Sequence, residues 1–92
     1  MTQSLKEIVI AALEEVKAQN IVSLDVRELT GMMDTMVVAS GTSNRQVKSL
    51  ANNVVVEGKK AGYDMIGIEG DDTSEWILVD FGDVIVHIML PA

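Results

Sequence analysis

The chain reads as an α/β domain of the mixed α+β kind, a five-stranded mixed sheet with two helices on one face in the order αββαβββ. Three observations predict it. Two segments open on Ser-x-x-Glu or Ser-x-x-Gln and continue with apolar residues at helical spacing. Five shorter segments are rich in Val, Ile and Met and are separated by glycine or polar clusters. The last two of these are joined by only Gly82-Asp83.

Ser4-Leu5-Lys6-Glu7 is a capping box, in which the serine hydroxyl and the glutamate carboxylate each satisfy an orphan helix N–H. Leu5, Ile8, Val9, Ala12, Leu13 and Val16 then form one helical stripe, predicting a first helix that ends near Asn20. Ile21, Val22, Leu24 and Val26, with Asp25 and Arg27 interleaved, predict a strand. Leu29 to Met33 reads as a loop through Gly31, and Met36-Val37-Val38-Ala39 as a short, largely buried strand ended by Gly41. Ser43-Asn44-Arg45-Gln46 reads as a second capping box. Val47, Leu50, Ala51, Val54, Val55 and Gly58 repeat the helical stripe, and Gly62 stands where a terminating glycine belongs. A strand at Met65-Ile66-Gly67-Ile68 then completes a crossover long enough for a parallel βαβ unit. After the polar turn from Glu69 to Ser74, Glu75 to Phe81 and Val84 to Leu90 form a hairpin closed by a type II′ turn at Gly82-Asp83, and Pro91 ends it.

A chain of 92 residues with 48% hydrophobic and 23% charged side chains holds one core, so residues 1–92 are read as a single domain. The absence of cysteine excludes disulfides, thiolate zinc sites and thiol nucleophiles, and fits a reducing compartment. No run approaches the ~20 apolar residues that span a bilayer, and the N-terminal residues lack a signal-peptide layout, so a cytoplasmic location is expected. The net charge of −7 is unevenly placed. Residues 1–60 hold seven acids and all seven bases, whereas residues 61–92 hold Asp64, Glu69, Asp71, Asp72, Glu75, Asp80 and Asp83 and no base. That segment repels phosphate backbones and attracts a basic partner, so no direct nucleic-acid or membrane binding is expected of it.

Side chains alternate along a strand, so the final hairpin divides into two faces. Ile77, Val79, Phe81, Val84, Val86, Ile88 and Leu90 are uniformly apolar and should meet the helices. Trp76, Leu78, Asp80, Ile85, His87 and Met89 make the other face, and two helices spent on the first leave nothing to cover it. An apolar patch rimmed by charge marks an interface, and tryptophan is the residue most enriched among binding hot spots. A tryptophan here also fits a core side chain bonded to Asp80 or to backbone, and the sequence leaves both readings standing.

Asp80, Asp83 and His87 are too few and too scattered for a zinc site, and Asp80 and His87 fit a cross-hairpin hydrogen bond equally well, so no metal or cofactor is expected. Gly41-Thr42-Ser43 places N–H groups and hydroxyls at a helix start, where a phosphate can sit. With Asp80 and Asp83 it supplies the rival reading, a nucleotide-binding or nucleotidyltransferase-like enzyme. No GxxxxGK[ST], GxGxxG or Ser/His/Asp arrangement accompanies it. Six methionines read as gap-filling hydrophobes, with Met32 and Met33 suited to an adaptable surface.

Asp34 to Val47, containing Ala39-Ser40-Gly41-Thr42-Ser43-Asn44-Arg45-Gln46-Val47, resembles the ribosomal silencing factor family (RsfS, or Iojap). Glu75 to His87, with Trp76, Leu78, Asp80, Phe81, Gly82, Asp83 and His87 in this order, resembles it as well. The resemblance implies a non-enzymatic protein that binds the basic fourteenth protein of the large ribosomal subunit. There it would sterically block joining of the small subunit and repress translation under nutrient limitation. It also implies a nucleotidyltransferase-like topology. The strand at Met65-Ile66-Gly67-Ile68 lacks the paired acids that transferase catalysis requires, so no catalytic residue is expected. Trp76, Leu78, Asp80, Ile85, His87 and Met89 are the expected partner-binding residues, and a homodimer through the same face is a further reading. Family members usually continue into a short tail past the hairpin, whereas this chain stops at Ala92.

Overall fold

In a computed structural model, which describes residues 4–25, 35–70 and 75–90, Ser4 opens helix α1 (Leu5–Glu15) as the capping box requires. The Ser4 N–H donates to Glu7 Oε1 at 3.1 Å and Ser4 Oγ accepts from the Glu7 N–H at 3.3 Å. The Ser4 N–H, together with the Ser4 hydroxyl donating to the same carboxylate oxygen at 3.0 Å, holds the Glu7 carboxyl below its usual range. The helix stops five residues before the predicted end, in a Schellman motif. Ala18 N–H reaches Leu13 O and Lys17 N–H reaches Glu14 O, both at 3.0 Å, with Lys17 at φ 62°. The stripe has no apolar residue to continue it past Val16, because Gln19 and Asn20 are polar, and Gln19 instead begins strand β1 (Gln19–Asp25).

Strand β1 pairs antiparallel with β2 (Thr35–Ser40) through a bulge between Gln19 and Val22, where Asn20 takes φ 53°. The predicted continuation of β1 to Arg27 and the loop through Met32 and Met33 lie outside the described residues, as do the turn at 71–74 and Pro91. Helix α2 (Asn44–Lys60) follows a turn in which Ser43 Oγ accepts the Gln46 N–H at 3.1 Å. The second half of the expected capping box does not form. Gln46 Oε1 instead takes the Thr42 hydroxyl at 2.7 Å and the Thr42 N–H, while its amide donates to Val16 O at 3.0 Å. Asn53 similarly donates to Ala12 O at 2.7 Å. Two side-chain amides of α2 thus satisfy carbonyls near the end of α1 and fix the helix pair. The α2 end is a second Schellman motif at Gly62, as predicted, with Tyr63 N–H on Gly58 O at 2.8 Å.

Strands β3 (Gly67–Glu69), β4 (Trp76–Asp80) and β5 (Val84–Met89) complete a five-stranded sheet in the order β1-β2-β5-β4-β3. Strands β4 and β5 form the predicted hairpin. Gly82 alone in its turn has positive φ, 94°, with Asp83 following at negative φ, which is the II′ pattern that favours glycine at this position. The βαβ unit forms, since β2 and β3 run in the same direction in one sheet, but its two strands are not neighbours. Strand β2 pairs in parallel with β5, not with β3, and β3 pairs antiparallel with β4. The hairpin is inserted between the two strands that α2 connects. A three-residue β3 has too few bonds to compete with the six-residue register between β2 and β5.

The helices cover one face. Val9, Leu13, Val37, Val47, Leu50, Val54, Ile77, Val79, Val86 and Ile88 have no exposed surface, and Phe81 packs its ring against Gly58, where a Cβ would come within 2.9 Å of it. Strand β2, expected to be largely buried, is buried on one face only. Val37 and Ala39 enter the core, whereas Met36 and Val38 turn to the other face and keep partial exposure.

Candidate functional site

Strand register assembles the uncovered face. Across β4 and β5, Trp76 stands opposite Met89, Leu78 opposite His87, and Asp80 opposite Ile85. All six predicted binding residues therefore share one side of one hairpin. Five are partly exposed and Trp76 keeps 53% of its surface in water. The core reading of the tryptophan is thereby excluded.

The parallel β2–β5 ladder widens the face in a way the sequence reading missed. It sets Met36 beside Ile85, Val38 beside His87 and Ser40 beside Met89. Beyond them, the β1 ladder adds Leu24 beside Met36 and Val22 beside Val38, at 46% and 47% exposure. The alternation Val22, Ser23, Leu24 carries this signal, but which parity faces outward depends on the bulge at Asn20 and on a long-range pairing. The result is a plate running across four strands, apolar from β1 to β4. Carboxylates stand at its far end, with Glu69 opposite Leu78 and Asp80 on β4.

Two local devices hold Trp76. Gly70 at φ 83° lies so close to the Trp76 carbonyl oxygen that any Cβ would collide with it. A hollow of about 200 Å³ bounded by Glu69, Gly70, Trp76 and Leu78 is left beside the indole. On the other side the indole and imidazole rings lie nearly parallel, 13° apart with centroids at 5.8 Å, and Trp76 Nε1–H donates to His87 Nδ1 at 3.3 Å. The expected Asp80–His87 bond is not the one made. Those residues are diagonal rather than opposite, and Asp80 Oδ1 takes the Gly82 N–H at 2.7 Å, bracing the hairpin turn.

Partial burial pushes the His87 imidazole below its ordinary value of 6.5, and its Nδ1 must stay unprotonated to accept the indole N–H. As pH falls, the unfolded chain takes up this proton before the folded one. The His87 contribution is therefore full above the ordinary imidazole range and is lost as pH falls through it toward the depressed folded value. Urea midpoints are expected to decline through that range for the wild type and to flatten in His87→Gln. Fluorescence of the single tryptophan should titrate with the folded-state value. Identical pH profiles for the two proteins would detach the effect from His87.

The residues of the rival reading do not converge. Gly41 N–H is bonded to Met89 O at 3.0 Å and both the Thr42 N–H and its hydroxyl donate to Gln46 Oε1, so these donors are committed within the fold, while Ser43 Oγ accepts the Gln46 N–H. That turn follows the C-terminal end of β2, whereas Asp80 and Asp83 flank the opposite end, where Thr35 pairs with Val84. About five strand residues, or ~16 Å, separate the two ends. Among the described residues, no three His, Asp or Glu side chains come together as a metal-ion site.

Fold and face together define a small α+β domain whose distinctive surface is a bare sheet face. The chain belongs to the ribosomal silencing factor family: residues 1–92 match the family described as "Ribosomal silencing factor during starvation". It is 52% identical to "Ribosomal silencing factor RsfS" of Chromobacterium violaceum over 98% of this chain and 74% of that protein. With the RsfS of Haemophilus influenzae it shares 44% identity, over 94% of this chain and 84% of the relative. A crystal structure of a Chromobacterium violaceum protein superimposes with a TM-score of 0.94 at 50% identity, covering 99% of this chain and 76% of that one. A Bacillus halodurans structure reaches a TM-score of 0.88 at 27% identity, over 94% and 80% of the respective chains.

Proposed function

We propose that this protein docks its bare sheet face on the basic fourteenth protein of the large ribosomal subunit. Occupying that position, it blocks small-subunit joining and so represses translation when nutrients are scarce. The carrying observation is the half-exposed Trp76 on an apolar plate with carboxylates at one end. Trp76 and Leu78 supply the desolvated anchors, with Ile85, His87 and Met89 beside them, and Asp80, with an oxygen beyond the one on Gly82, meets a lysine or arginine. The acidic fringe speeds encounter with a basic protein, so binding weakens as salt rises. Family membership supports the reading, and so does the separation of Gly41-Thr42-Ser43 from Asp80 and Asp83, which keeps these residues from acting together. The setting is the cytoplasm, where the subunits are; no helix among the described residues is long and apolar enough to cross a membrane.

Purified protein mixed with dissociated subunits is expected to sediment with large subunits and not with small ones, and to suppress the light-scattering rise that accompanies subunit joining. Undiminished joining at saturating protein would overturn the proposal. A scattering increase of the protein alone, reversed by the isolated fourteenth protein, would identify two-fold pairing of copies through the same plate.

A further inference from the structure

We propose that a trough between α2 and strand β3 binds an acidic peptide segment carrying one large apolar residue. The trough lies on the helix side of the sheet, since Ile68 and Ile77 line it while Trp76 faces the other way, so the proposal stands apart from the docking plate. Its inner half, about 260 Å³, is floored by Ala51, Val55, Met65, Ile68 and Ile77. Lys48 and Asn52 wall this half and also line its outer half, a second hollow of about 310 Å³ with Arg45 and Ser49, so the two lie side by side along α2.

The charge in the trough is the reverse of the charge of the chain. The protein carries −7 overall, yet among the described residues no carboxylate lines either half. Arg45 and Lys48 stand one helical turn apart with no carboxylate partner among the described residues, whereas at the other end of α2 Lys60 is paired with Glu57 at 3.1 Å. Met65, 37% exposed, supplies a flexible, polarisable wall beside the apolar half. An occupant filling both halves needs an apolar side chain for the floor and, within a few residues, carboxylates for Lys48 and Arg45. A nucleic-acid strand satisfies only half of this. It would leave the floor empty, and among the described residues no aromatic one lines the trough to stack a base.

The test is selection of a random twelve-residue phage-displayed peptide library on the immobilised full chain, followed by titration of the enriched peptides into isotopically labelled protein. The expected consensus has Asp or Glu within three positions of Leu, Met or Phe. Its amide shifts should centre on Lys48, Asn52, Met65 and Ile68. Affinity should fall about tenfold in Lys48→Glu, from the reversal of a close charge pair, and hold in Trp76→Ala. Enriched peptides without acidic residues, shifts centred on Trp76 and Leu78, or no enrichment over the bare support would each overturn the proposal. So would equal affinity for wild type and Lys48→Glu.

Discussion

Replacing Trp76 by alanine is expected to weaken association with the large ribosomal subunit by about 2–4 kcal/mol, the usual cost of truncating a central aromatic anchor. That is roughly 30- to 1000-fold in Kd, enough to remove the protein from sedimenting subunits at micromolar concentration. The fold should survive. Trp76 makes no contribution to the helix-facing core, more than half its surface is already in water, and its chain neighbour Ile77 carries the burial on the other side of β4. The variant is expected to unfold at a urea concentration close to that of the wild type, with its circular dichroism unchanged. Leu78→Ala should show the same pattern with a smaller loss, because Leu78 is smaller and flanked by His87 and Glu69. Unchanged cosedimentation of a folded Trp76→Ala protein would remove the plate from the docking mechanism.

The largest effect on stability is expected at Ile88. It has no exposed surface, stands directly opposite Ile77 on β4 and is set against Ala39 across the parallel ladder on β2. Truncation to alanine would put two small residues side by side in the middle of the sheet, and Ala39 cannot fill the gap. The expected cost is about 2–5 kcal/mol, combining lost transfer energy with a residual cavity. Against a total of ~5–15 kcal/mol for a domain of ordinary stability, this is a large fraction. Urea denaturation should show the midpoint falling with little change in slope. A loss below about 1 kcal/mol would mean that Ile88 is not held in a close-packed core.

What was legible in the sequence is what neighbours in the chain decide. Ser4 and Glu7 are three residues apart, Gly62 closes its own helix, and Gly82-Asp83 sets the hairpin register, so caps, turn and the two faces of β4 and β5 could be read directly. Family resemblance through Ala39 to Val47 and Glu75 to His87 was equally local. The remainder depended on partners far apart. Gln46 looks like half of a capping box until the end of α1 arrives to take its amide, and only then does its oxygen turn to Thr42. Val22, Leu24, Met36 and Val38 join the plate only because β2 chooses β5 over β3 and because Asn20 inserts one extra residue into β1. The common face of the six hairpin residues was therefore legible, and the part of the plate contributed by the first two strands was not.

The placement of the last hairpin between strands that precede it has a bearing on how the protein comes into being. Strands β1 and β2 form one edge piece and β3 the opposite edge, and neither touches the other until β4 and β5 arrive between them. During synthesis the nascent chain thus emerges as fragments of a rim around a missing middle. Long-range pairing of this kind is slow, since distant segments must meet before any contact rewards the meeting. The two rim pieces are therefore joined, and the bare face across them completed, only once β4 and β5 have both been made and have paired.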